Sequence, residues 1–166
     1  KIVVDSHQEI ERVNRLAKVA GKNQAVLIRV TPGVEAHTHE FISTAHEDVK
    51  FGFSIASGAA WKAIEAIEAS HNLTLQGFHC HIGSQIFNTE GYEIAIGRIV
   101  ALLGKFRDHF DRELPEFDMG GGFGIAYLPG ETTFDPDAAI AKVASVIKAE
   151  CKADRKSTRL NSSHVK

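Results

Sequence analysis

A chain of 166 residues that is 43% hydrophobic and 24% charged has the make-up of one soluble globular domain, or of part of a larger one, and not of a disordered chain. Its net charge of −2 comes with no basic stripe, which argues against a nucleic-acid partner, and no apolar run approaches the roughly 18 residues that a membrane span needs. Two cysteines, Cys80 and Cys151, form no disulfide framework, so a reducing, cytoplasmic location is the expectation.

The chain starts at Lys1 and runs directly into Ile2-Val3-Val4-Asp5, which reads as a strand already inside a fold. Ser6 followed by Glu9 is a capping box, and Ile10, Val13, Leu16 and Ala17 recur at helical spacing up to Gly21. The nearly all-apolar run 24–30, QAVLIRV, predicts a strand buried on both faces, ending at Arg29, Thr31 and Pro32. A long polar loop over 33–49 follows, closed by the short extended piece Lys50 to Phe53.

Ala60, Trp61, Ile64 and Ile67 mark a second helix. The strand 73–78 then delivers the sequence GFHCHIGSQ at 77–85. Tyr92, Ile96, Ile99, Leu103, Phe106 and Phe110 predict a long third helix between Asn88 and Leu114, and the strand 115–119 ends in GGGFG at 120–124. Asp135-Pro136 reads as an N-cap with proline at the first helical position, opening a fourth helix striped by Ile140, Val143 and Ile147. From Asp154 the periodicity stops. Residues 154–166, DRKSTRLNSSHVK, read as an adapter translated in frame, so the expectation is a domain over 1–153 and an unstructured artefact over 154–166. The latter holds four basic residues and one acidic residue, and without it the net charge is −5.

Strand and helix alternate four times, which implies a parallel sheet with helices outside it. A doubly wound sheet and a (β/α)8 barrel both satisfy that order. Polar groups fall at the carboxyl end of every strand: Asp5 and Ser6, Arg29, His79 to Ser84, and Gly120 to Gly124. A barrel gathers all such ends in one rim, so the favoured fold is α/β, a partial TIM (β/α)8 barrel of about four consecutive βα units with open sheet edges.

Three glycines in succession after a strand exceed what a turn requires and suit backbone N–H groups that approach an anion, most often a phosphate. They form neither GxGxxG nor a Walker loop. In HCHIGS, strand alternation lets His79 and His81 share a face and turns Cys80 away from both, which weakens a cysteine nucleophile. A metal site needs a third ligand, and His37, His39 and His46 offer nothing that fixes them nearby. One histidine packed or capped and the other facing solvent is the plain reading. Gly83 and Ser84, an N–H and a hydroxyl beside an imidazole, raise a cofactor reading.

Together, IVVDS at 2–6, LIRV at 27–30, THEFIST at 38–44, KFGF at 50–53, HIGSQ at 81–85 and FDMGGGFG at 117–124 resemble, in this order, the fold-type III pyridoxal-phosphate decarboxylases. THEFIST and HIGSQ are similar to the branch of that family that decarboxylates diaminopimelate to lysine, and Ala45 stands where glycine usually follows IST. The resemblance implies pyridoxal 5'-phosphate as cofactor, His81 stacked on its ring, and Ser84 with the N–H groups of Gly121 and Gly122 on its phosphate. It also implies Arg29 at a strand end near the cofactor. A small amino acid is the implied substrate, and the full-length protein is expected to be a homodimer. The family's imine-forming lysine is expected upstream of Lys1 and its EPG glutamate beyond residue 153, so the chain alone is expected to be inactive. Ornithine, arginine or carboxynorspermidine decarboxylases and a non-catalytic relative are the alternatives.

Overall fold

A computed structural model describes residues 1–34, 51–130 and 135–162. The long polar loop, with His37, His39, His46 and Lys50, therefore lies outside the described residues, as do 131–134 and 163–166. The described residues form two compact units.

The first unit holds the sheet. Strands β1 (Ile2–Val4), β2 (Gln24–Thr31), β4 (Leu73–His79) and β5 (Glu116–Asp118) lie parallel in the order β1-β2-β4-β5, and β3 (Phe53–Ser54) pairs with the end of β2. Successive crossovers advance in one direction. A doubly wound sheet reverses at its switch point and a barrel does not, so this order is that of a barrel segment. The strands are central where the sequence is apolar on both faces: Val26, Leu27, Ile28 and Val30 in β2, and Leu73, Leu75 and Phe78 in β4, are all buried. The sheet ends in open edges. On the edge strand β1, Ile2 and Val3 remain 40% and 42% exposed.

Two helices flank this sheet. In α1 (His7–Val19) the Ser6 hydroxyl accepts the Glu9 N–H at 3.3 Å, while the Glu9 carboxylate reaches back to the Asp5 N–H at 2.9 Å, one residue before the position a capping box prescribes. Gly21, at φ +62°, ends the helix with its N–H on the Lys18 carbonyl. Only part of the expected stripe is covered: Ile10 and Ala17 are buried, but Leu16 is 57% exposed. In α2 (Ala59–Glu68) the buried residues are Ala60, Ala63, Ile64 and Ile67. Trp61 lies at the margin, its indole N–H donating to Glu65 at 2.9 Å, so Ala63 takes the place the sequence suggested for the tryptophan.

The second unit contains α3 (Glu90–Phe110) and α4 (Pro136–Ser162), which pack on each other. Tyr92, Ile96, Ile99 and Phe106 of α3 are buried as its periodicity predicts, whereas Leu103 and Phe110 are half-buried. Asp135 caps α4 by accepting the N–H groups of Asp137 and Ala138 at 3.1 and 3.0 Å. One expectation fails here. The chain is not irregular from Asp154: α4 continues to Ser162, and Asp154 pairs with Arg107 of α3. The stretch contains neither proline nor glycine, so nothing in it breaks a helix already propagating. Among the described residues no helix is long and apolar enough to cross a membrane.

Candidate functional site

The strand ends of the sheet unit collect its polar side chains. Arg29 lies opposite His79 in the β2–β4 register. Its guanidinium is 4.0 Å from the Asp5 carboxylate and 5.0 Å from the centre of the Phe51 ring, so it is held by charge on one side and by a π face on the other. Gly52 makes this possible, because a Cβ there would press against the Arg29 carbonyl.

His79 is paired. Its Nδ1 lies 3.0 Å from Asp118 Oδ2, across the register that sets β4 beside β5. The other oxygen of Asp118 accepts the Gly120 N–H at 2.8 Å. Burial works to raise the Asp118 pKa, but the Gly120 N–H bond and then the His79 ring outweigh it, leaving the carboxyl below its ordinary value. Two glycines permit the approach: a Cβ at Gly77 would collide with the Glu116 carbonyl, and one at Gly120, where φ is +71°, with the Cys80 carbonyl.

Cys80 is fully buried, with its thiol 3.7 Å from the Met119 carbonyl. Burial first, and the Asp118 charge second, push its pKa up to about 12. A thiol so placed is protonated at neutral pH and is no nucleophile. His81, one residue on, is exposed. Among the described residues no group of three His, Cys, Asp or Glu is arranged to hold a metal ion.

In the second unit the loop after His81 and the rest of the glycine run are tied together. Ile86 donates its N–H to Gly122 at 2.9 Å and accepts that of Gly124 at 2.8 Å. Gln85 stands at φ +56°, a conformation uncommon outside glycine, and its side-chain amide accepts the Ile125 N–H at 2.9 Å. The Tyr92 hydroxyl donates to the Gly121 carbonyl at 2.9 Å. The carbonyls of Gly121 and Gly122 are thus both committed to the protein, while their N–H groups have no acceptor among the described residues. A Cβ at Gly121 would meet nothing within 4 Å. N–H groups left without an acceptor are of the kind that an anion such as a phosphate can take up. Ser84 is exposed in this same unit.

Of the residues singled out from the sequence, Arg29 and His81 belong to the sheet unit, and Ser84, Gly121 and Gly122 to the helical one. Three contributors escaped sequence reasoning. Asp118 and Gln85 sat inside quoted motifs without a role, and Tyr92 was read only as an apolar stripe residue. Their hydrogen bonds join segments 29 to 40 positions apart, a distance that periodicity cannot sense.

The family described as "Pyridoxal-dependent decarboxylase, pyridoxal binding domain" matches residues 1–161. The chain belongs to this family. It is 52% identical over 130 residues to a diaminopimelate decarboxylase of Corynebacterium efficiens, covering 78% of this chain and 28% of that protein. To the Mycobacterium tuberculosis H37Rv diaminopimelate decarboxylase it is 49% identical over 153 residues, 90% of this chain and 34% of the relative. Among solved structures, the diaminopimelate decarboxylase of M. jannaschii in complex with L-lysine superimposes with a TM-score of 0.72 at 30% identity, covering 89% of this chain and 34% of that one. The decarboxylase family member described here thus spans about a third of the length of the relatives it matches. The sheet is a segment of their (β/α)8 barrel.

Proposed function

We propose that this chain is the central, cofactor-holding part of a diaminopimelate decarboxylase, which converts meso-2,6-diaminopimelate to L-lysine and CO₂. The observation that carries the reading is that Gly121 and Gly122, whose N–H groups have no acceptor among the described residues, lie in a chain of the pyridoxal-dependent family. In this reading those N–H groups and the Ser84 hydroxyl bind the phosphate of pyridoxal 5'-phosphate, and His81 covers one face of its ring. Arg29, beside Asp5 and Phe51, is the positive charge that the reading assigns near the cofactor.

When bound, the cofactor supplies a conjugated ring that takes up the electron pair left as CO₂ departs. The protein's share is geometric. An anchored phosphate fixes the ring's position and an imidazole against its face fixes its tilt, so that the bond to be broken stands perpendicular to the ring. The wider reading adds a homodimer and a cytoplasmic location, which analytical ultracentrifugation and cell fractionation check.

The test is CO₂ release by the full-length protein that carries this segment, supplied in turn with meso-diaminopimelate, ornithine, arginine and carboxynorspermidine. Turnover of meso-diaminopimelate alone is expected. Turnover of one of the others in its place would overturn the substrate assignment, and no turnover of any would favour a non-catalytic relative.

A further inference from the structure

The carboxylate of Asp118 accepts from two directions at once, from the His79 ring on Oδ2 and from the Gly120 N–H on Oδ1. Gly120 is at φ +71°, and a Cβ there would collide with the Cys80 carbonyl, so only glycine fits this seat. Its N–H donates to the carboxylate, whereas the two N–H groups that follow in the run have no acceptor among the described residues. A run in which the first N–H is bonded within the protein and the next two are left for a ligand is ordered best when its first residue is pinned. A carboxylate hydrogen-bonded to a backbone N–H is a strong pin, and a carboxylate itself steadied by an imidazole has lost the freedom to rotate away.

We propose that Asp118, clamped by His79, is a positioning residue that presets the glycine run for the cofactor's phosphate. This rests on the phosphate assignment made for Gly121 and Gly122 and deepens it. Asp118 touches neither substrate nor cofactor in this role. It acts through Gly120, and His79 acts through Asp118. The sequence FDMGGG thus carries its organiser two residues ahead of its glycines.

The role has a signature that mere stability lacks, because it concerns the phosphate and not the ring. Dissociation constants of pyridoxal phosphate and of phosphate-free pyridoxal are measured for the full-length protein carrying this segment, and their ratio is the readout. If the wild-type protein shows no preference for the phosphorylated form, the phosphate assignment itself fails. With that preference in hand, Asp118→Ala is expected to reduce it at least about tenfold, the loss of one charge-assisted hydrogen bond. Asp118→Asn keeps an oxygen for Gly120 and is expected to stay within about threefold of wild type, and His79→Ala to fall between the two. A ratio unchanged in Asp118→Ala, or lost as fully in Asp118→Asn as in Asp118→Ala, overturns the inference. Where circular dichroism shows Asp118→Ala unfolded, His79→Ala decides: a wild-type ratio there overturns the inference and a reduced one supports it.

Discussion

Gly120 and Gly121 are covalent neighbours with opposite surroundings, and the boundary between the two compact units falls between them. Gly120 is glycine because the backbone is crowded: positive φ, a carbonyl where a side chain would begin, and a carboxylate on its N–H. Gly121 has open space where its side chain would begin and no acceptor on its N–H among the described residues. One run of identical residues therefore sits in two surroundings, and only the second leaves room for the phosphate proposed above. A glycine-rich motif is not uniformly a binding motif. Part of it serves to bring strands together.

The sharpest break of this comparison is to add one methyl group to each. Gly120→Ala is expected to destabilise the full-length protein by on the order of 3 kcal/mol, from the left-handed backbone and the clash with Cys80. Gly121→Ala is expected to stay within about 0.5 kcal/mol in stability and to weaken cofactor binding instead. Urea denaturation followed by circular dichroism reads the first effect, and fluorescence titration with pyridoxal phosphate the second. Equal stability losses would refute the division.

A smaller effect is expected on the second unit. Tyr92→Phe removes the donor to the Gly121 carbonyl and should cost about 1 kcal/mol, the ordinary worth of a neutral hydrogen bond. A stability equal to wild type in urea melts would show that the Gly121 carbonyl is satisfied without it.

The smallest effect concerns pH, and it separates the two regions again. Asp118 has a lowered pKa in the folded protein, so its contribution is fully present above the ordinary carboxylate range and is lost as pH falls through the lowered value. No carboxylate holds the Ile86–Gly124 bond, which joins backbone to backbone. Amide hydrogen exchange between pH 7 and pH 3, corrected for intrinsic rates, should therefore show Gly120 losing protection before Gly124 does. Parallel loss at both sites would mean that acid acts on the fold as a whole.

The alternation of elements was legible because each rests on local chemistry. Ser6 and Asp135 cap their helices as their positions suggested, and β2 is buried where its sequence is apolar throughout. Burial of single residues was less legible. Leu16 carries the right spacing yet lies exposed, and Trp61 gives way to Ala63, since periodicity names a face of a helix but not how far a neighbour covers it. Residues 154–162 were read from the loss of an apolar stripe, but a helix needs only unbroken backbone bonding and a foothold such as Arg107 for Asp154.

The order of strands and helices, the caps and the positions of the glycines followed from the sequence alone, because turns, caps and periodicity act over a few residues. The crowding at Gly120 beside open space at Gly121, the pairing of His79 with Asp118 and the burial of Cys80 did not. Each depends on which backbone segment passes within a few ångströms of another, and parallel strands join segments that lie tens of residues apart. Only the folded chain decides that.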